Sequence, residues 1–403
     1  MEKLPINLLV LSSLFPHKGE PTLGIFVQNR LLHLIAQENV QATVIAPVPW
    51  FPFKGKLFGK YGRAAQAPRV ETREGLTIHH PRYFVIPKIG MMLTPLFMFW
   101  SVNRCVQKLI RQGLKIDVID AHYLYPDGVA ASKLSASIDR PFVLTARGSD
   151  VTEIALISTP KAMIKEAVSK AAHTITVSNN LRLNLISMGC DPQKITTLRN
   201  GVDLKRFYEV NRNQTRERWG QGPIMLFAGW LIPRKRLDLV LGVTASIPDL
   251  KTVIVGDGPQ RTELADKAVE LGIVDRVIFE GQIKPEEMPA IYSGADILIL
   301  PSDREGWANV LLEAMACGTP VISREVGGAP DLVTKPEAGR IVRADTAEAL
   351  SHAVVNMLSN LPERSETRAF AEAYDWSATS KGQKVIFEKA IADNASKKAV
   401  GEE

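Results

Sequence analysis

The chain has 403 residues, 45% hydrophobic and 23% charged, which is the composition of an ordinary globular protein with room for two or three domains. A net charge of +6 suits an anionic substrate or a membrane surface; with no long Lys/Arg run and no nucleic-acid-binding motif, nucleic acid is set aside as a partner. Three scattered cysteines, Cys105, Cys190 and Cys317, exclude a disulfide framework and metal spacing; they read as free thiols in a reducing, cytoplasmic compartment.

Ile6 to Leu11 is an apolar, β-rich run and reads as a first parallel strand rather than a signal peptide, since no small-residue cleavage site follows. A loop with Gly19 and Gly24 leads into helical periodicity from Ile25 to Ala36, a Rossmann-like opening without a G-x-G-x-x-G fingerprint. Gly24 either lets backbone approach a phosphate or sugar, or is a simple turn glycine. Gln41 to Pro47 reads as a second strand. A basic, aromatic segment follows, with Trp50, Phe51, Phe53, Lys54, Lys56, Phe58, Lys60, Tyr61 and Arg63. Met91 to Trp100 is very apolar and interrupted by Pro95. It is too short to span a bilayer. A core helix is the leading reading; the alternative is contact with a membrane surface, with the basic segment nearby.

Further strands are expected at Asp117–Ala121, Pro141–Thr145 and His173–Ser178. Arg147-Gly148-Ser149-Asp150 follows the second of these, and His122 follows the first. A lone histidine at a strand end is read as a satisfied structural residue. Residues 206–222 read as a polar linker. Ile224–Ala228 is a strand leading to Arg234, Lys235 and Arg236; Val253–Val255 and Val277–Phe279 are strands, and the second runs into Gly281, Gln282 and Ile283.

Asp296 to Pro301 reads as a buried parallel strand. The loop after it carries Glu305, Gly306, Trp307, Ala308 and Asn309, and a short helix carries Val310 and Glu313 before Gly318 and Pro320 stop it. Glu313 is the only charge between Val310 and Cys317. A buried carboxylate is costly unless paired, so it needs a protein donor or the hydroxyls of a ligand. Pro320 to Ser323 is another strand, followed by Gly327-Gly328. A helix from about Ser377 to Ala390 ends the fold, and Ala395 onward reads as a frayed tail.

Glu305 and Glu313, eight residues apart after a strand, resemble the Glu-x7-Glu motif of glycosyltransferase family 4, and the opening stretch from Ser12 to Leu34 resembles those of its enzymes that build cell-wall or extracellular polysaccharides. The Asn200-Gly-Val-Asp203 segment and Gly327-Gly328 are similar to that family as well. The resemblance implies an α/β GT-B fold of two Rossmann-like domains with parallel sheets facing a central cleft. Residues 1–205 would be an acceptor domain, 206–222 a linker, 223–374 a donor domain, and 375–395 a helix crossing back. It implies retaining transfer of a sugar from a nucleotide-sugar, with uridine diphosphate preferred and guanosine diphosphate as the other base, to a glycan or lipid-linked acceptor.

Site roles follow residue by residue. Glu305, with Lys235 and Arg147, would serve catalysis. Glu313 would bind the ribose, Ile283 the base, and Arg234 with Lys235 the diphosphate. Gly24, Asp150, Asn200 and the Gly306, Trp307, Ala308, Asn309 and Val310 stretch complete the substrate set. Three positions depart from the family. Arg147 stands where a histidine is usual and cannot act as a general base. Trp230 stands for an arginine, and Arg236 for a glycine. No Asp-x-Asp cluster suggests a metal, so metal-independent transfer without a resident cofactor is expected, the nucleotide-sugar being a co-substrate. Peripheral contact at the cytoplasmic membrane face remains open. So do two other classes: another GT-B nucleotide-sugar enzyme, such as an epimerase or hydrolase, and a silent nucleotide-sugar-binding subunit.

Overall fold

The computed structural model describes residues 4–55, 57, 59–86 and 90–401. Lys56 and Phe58 of the basic, aromatic segment lie outside the described residues. The chain divides into two units. One runs to Asn200 and takes back the chain from Trp376 onward; the other is Gly201–Asp375.

The N-terminal unit has strands β1 (Ile6–Leu11), β2 (Val40–Ile45), β3 (Val48–Pro49), β4 (Val70–Arg73), β5 (Leu76–His79), β6 (Arg82–Tyr83), β7 (Val118–His122), β8 (Phe142–Ala146), β9 (His173–Thr176) and β10 (Ile195–Thr197). Eight of them form one sheet in the order β10-β9-β8-β7-β1-β2-β5-β4, parallel except for the β4–β5 edge. β3 and β6 pair separately. The chain winds from β1 toward β2 on one side and returns to β7 on the other. The order therefore reverses between β1 and β7, where an open α/β sheet presents its ligand crevice at the strands' carboxyl ends. β1 contributes Leu8 and Val10 to a core with Val27, Leu31 and Leu34 of the helix Ile25–Gln37 and Phe387 and Ala390 of the last helix. Burying each of these larger side chains is worth roughly 1.5–3 kcal/mol.

The second unit has β11 (Ile224–Ala228), β12 (Lys251–Val255), β13 (Val277–Gly281), β14 (Ile297–Leu300), β15 (Val321–Arg324) and β16 (Gly339–Val342), all parallel, in the order β13-β12-β11-β14-β15-β16. The same reversal falls between β11 and β14.

The expected core strands are present, shifted by a residue or two. Four readings need correction. The edge hairpin β4–β5 was not expected; Glu74-Gly75 turns it, both with positive φ. The last helix is Ser377–Gly401, so the stretch from Ala395 continues the helix rather than fraying. Pro95 does not interrupt a helix; it stands in the first turn of Thr94–Arg111, where a missing N–H has no intrahelical partner to lose. The fourth is the linker, 206–222, which contains the helix Asn213–Trp219. Thr215 and Trp219, one turn apart, are buried, and Trp219 Nε1 donates to Glu280 Oε1 at 2.5 Å. Arg212 and Arg216 both bind Asp296, at 2.6 and 3.0 Å. Two buried side chains in a polar segment leave almost no periodicity to detect. Trp219→Ala is expected to lower stability by about 3–5 kcal/mol, the range for emptying a buried tryptophan site; urea denaturation checks it, and a change below 1 kcal/mol would restore the linker reading.

Candidate active site

In the second unit, β11 and β14 lie side by side, with Leu226 opposite Leu298. That register brings together the loops leaving their carboxyl ends, though the residues concerned are some seventy apart. Asp303 N–H donates to the Arg234 carbonyl at 2.8 Å, and Arg234 donates from its guanidinium to the Arg304 carbonyl at 3.1 Å. Lys235 Nζ reaches Glu305 Oε1 at 2.6 Å. Their side chains are only 13% and 9% exposed, so the pair is held largely out of water. Arg236, by contrast, binds Asp238 and Asp303, and Arg324 also binds Asp303, at 2.6 Å. The charge of Arg236 is thus engaged by neighbouring carboxylates. Trp230, at the position of the expected arginine, is exposed.

Gly327 has φ +55, and a Cβ there would come within 1.9 Å of the Glu305 carbonyl oxygen. This glycine lets the chain after β15 pack directly against the loop that carries Glu305. Trp307 and Ala308 are buried beside it. The helix Asn309–Ala316 begins without a side-chain cap. Glu313 on that helix has the protein donor it needs: Tyr292 O–H donates to Oε2 at 2.7 Å. Burial pushes the Glu313 carboxyl up, opposed by the Tyr292 hydrogen bond and the charge of Arg206. Neither Tyr292 nor Arg206 was expected from sequence; a tyrosine twenty-one residues upstream carries no spacing signal. Ile283 is half-buried just past β13.

In the N-terminal unit, Arg147 follows β8. Its Nη2 donates to His122 Nδ1 at 2.6 Å, and His122 Nε2 meets Asp120 Oδ2 at 3.0 Å. Arg147 Nη1 and Arg30 Nη1 both donate to Asn200 Oδ1, at 3.3 and 3.1 Å. Arg30 also donates to Gln383 Oε1 at 2.9 Å. All of these groups are buried. Burial and the neighbouring Arg30 push the Arg147 guanidinium down, and burial with Arg147 holds His122 at about 4. His122 is therefore neutral at pH 7 and accepts from Arg147, satisfied on both ring nitrogens. Two guanidiniums, Arg30 and Arg147, face two buried carboxylates, Asp120 and Asp150, both of which act on Arg147. Sequence reasoning singled out Arg147 and Asn200 and missed Arg30, Asp120 and Gln383, which come from distant parts of the chain.

Two expected substrate residues do structural work. Asp150 is fully buried, and its oxygens accept from the backbone N–H groups of Leu124, Arg147, Gly148 and Val151 at 2.7–3.2 Å. The carboxylate fixes the turns after β7 and β8. Gly24 has φ +61, and a Cβ there would lie 2.1 Å from the Leu14 carbonyl oxygen, so close packing of the chain on itself already demands the glycine.

His122 yields a pH prediction. Its ordinary value is 6.5 and its folded value about 4. In that window the unfolded chain binds more protons, so stability falls as pH drops from 6.5 toward 4. Relative to His122→Gln, the wild type is expected to lose on the order of 2–3 kcal/mol more between those limits. Urea midpoints across the window check this; parallel slopes would show that His122 is not the titrating group.

Among the described residues, no group of three or more His, Cys, Asp or Glu side chains is placed to hold a metal ion, and no helix is long and apolar enough to cross a membrane. Residues 28–206 match the family described as Glycosyltransferase Family 4, and residues 210–374 match Glycosyl transferases group 1. A Bacillus subtilis (strain 168) protein assigned to teichuronic acid biosynthesis as glycosyltransferase TuaC is 28% identical over 87% of this chain and 88% of its own length. A D-inositol 3-phosphate glycosyltransferase of Mycobacteroides abscessus is 31% identical, the match spanning 57% of this chain and about half of that relative, 54%. Among solved structures, sucrose-phosphate synthase from Thermosynechococcus elongatus superposes with a TM-score of 0.77 at 20% identity, over 96% of this chain and all of that one. Anabaena Alr3699/HepE in complex with UDP gives 0.73 at 18%, over 95% and 100%. At such identities the likeness shows the fold, two Rossmann-like units of the GT-B class. With both families matched in succession along the chain, the protein belongs to the glycosyltransferases, in family 4.

Proposed function

We propose that the protein moves a sugar from a nucleotide-sugar to a glycan or lipid-linked acceptor in polysaccharide biosynthesis, with retention at the anomeric carbon and without a metal ion. The observation that carries this reading is the Lys235–Glu305 pair at the carboxyl ends of β11 and β14, where the sheet order reverses. Leaving-group charge is the main demand of such a transfer. Lys235, Arg234 and the uncapped start of the helix after Ala308 would meet the diphosphate. Glu305 would hold the sugar hydroxyls and stabilise the cationic sugar in the transition state. Tyr292 occupies one oxygen of Glu313, and the other would accept from the ribose hydroxyls. Ile283 would present backbone to the base. In the N-terminal unit, the buried guanidiniums of Arg147 and Arg30 would suit an anionic group of donor or acceptor.

In the transfer, the bond between the anomeric carbon and the diphosphate oxygen breaks as the acceptor oxygen bonds to the same face. The acceptor's hydroxyl proton passes to an oxygen of the departing diphosphate, so no protein base is required. Arg147 in place of the family's histidine is compatible with that route, since the route calls on no protein base. Uridine diphosphate is the preferred carrier; the Anabaena neighbour is solved with UDP.

A thermal-shift panel of nucleoside diphosphates and their sugars tests the reading. One uridine or guanosine diphosphate sugar is expected to raise the melting temperature, with no change on adding chelator and loss of the shift in Glu313→Ala. Lys235→Ala is expected to lower turnover by about two to three orders of magnitude, the usual loss when one preorganised charge donor is removed. No shift from any of these ligands with folded protein would sink the donor site, and chelator-sensitive turnover would sink metal independence.

A further inference from the structure

The N-terminal unit carries an apolar and basic surface apart from the Arg147 and Arg30 cluster. The described residues of 46–69 and 80–116 include nine Lys and Arg and no Asp or Glu, while the hairpin between them carries Glu71 and Glu74, in a chain with 49 basic and 43 acidic residues. The fold brings the two stretches together. β3 pairs with β6, Trp50 N–H donates to the Tyr83 carbonyl at 2.7 Å, and the Trp50 and Phe84 rings lie 5.3 Å apart. Ser101 Oγ on the helix Thr94–Arg111 donates to the Arg82 carbonyl at 2.7 Å.

Between these segments and the turn after β7 lies a cavity of about 360 Å³, walled by Pro49, Tyr61, Tyr83, Met91, Tyr123 and Tyr125 among others. Apolar side chains stand exposed on the same segments: Trp50 (47%), Phe53 (57%), Phe84 (62%), Met92 (50%), Leu93 (46%) and Trp100 (56%). Single exposed apolar residues need no explanation, but a cluster on segments walling one cavity does. The helix shows the same division. Met98, Val102 and Val106 are buried, while Trp100, Arg104, Lys108 and Arg111 are exposed. Tryptophan beside lysine and arginine is the chemistry of a lipid headgroup layer; Glu20, which lines the cavity, is paired with Arg63 at 2.8 Å.

We propose that this surface docks the protein on an anionic lipid bilayer, and that the cavity takes its acceptor from that bilayer as a sugar carried on a lipid phosphate. The acceptor clause rests on the sugar-transfer reading; the docking does not. Sedimentation with phosphatidylcholine vesicles, with and without phosphatidylglycerol, tests the docking. Wild type is expected to pellet with the anionic vesicles at least tenfold more than with neutral ones, and to be released by high salt. Trp50→Ser/Trp100→Ser and Lys54→Glu/Arg104→Glu are each expected to lose that binding while keeping their circular dichroism and the donor-induced thermal shift. Wild type left in the supernatant, or variants that pellet like wild type, would overturn the proposal. So would a dimer in solution that the tryptophan variants convert to monomer, because a second copy would then cover the surface. Vesicle binding without transfer to any lipid-linked acceptor would leave the docking standing and remove the acceptor clause.

Discussion

The ion pair between Lys235 and Glu305 is the constraint on which the C-terminal site depends. Its two ends come from loops that meet only because β11 and β14 are neighbours. Almost shielded from water, each charge is stabilised by the other, and removing one would leave an uncompensated charge at the end of a sheet. The carbonyl contacts from Asp303 N–H and Arg234, and the close approach of Gly327, hold the same loop from three directions. A site held this firmly keeps its charges at a fixed place, which is what the proposed departure of a diphosphate would require.

The N-terminal unit solves a related problem in another way. Arg147 and Arg30 are buried together around Asn200, with Asp120 reached through a neutral His122. Asp150 nearby is consumed by backbone N–H groups and orders the turns that carry Arg147 and Tyr123. The unit thus separates two uses of polar groups. One set fixes the backbone, and the other gathers Arg147 and Arg30 around Asn200. On the same unit, an apolar and basic surface surrounds a tyrosine-rich cavity.

The strands of both sheets were legible because parallel strands, covered on both faces, are written as short uninterrupted apolar runs such as Ile224–Ala228 and Ile297–Leu300. The helix Asn213–Trp219 was not legible, because two buried residues among charged ones make no pattern; it exists because Trp219 fills a space built by other elements. The anomaly at Glu313 was visible as a lone charge in an apolar helix, but its donor, Tyr292, was not, since nothing local links the two.

The sequence by itself determined the alternation of strands and helices, the two Rossmann-like halves, and the chemistry-bearing types at Lys235, Glu305, Glu313 and Arg147. These rest on local composition and on spacing within a single loop or helix. Only the tertiary structure decided which charges meet. Lys235 pairs with Glu305 while Arg236 is taken up by Asp238 and Asp303, and Asp150 turns inward to backbone while Arg147 joins Arg30. The reason is physical: strand order and register set distances between residues far apart in the chain, and a charge's role depends on what lies within a few ångströms of it.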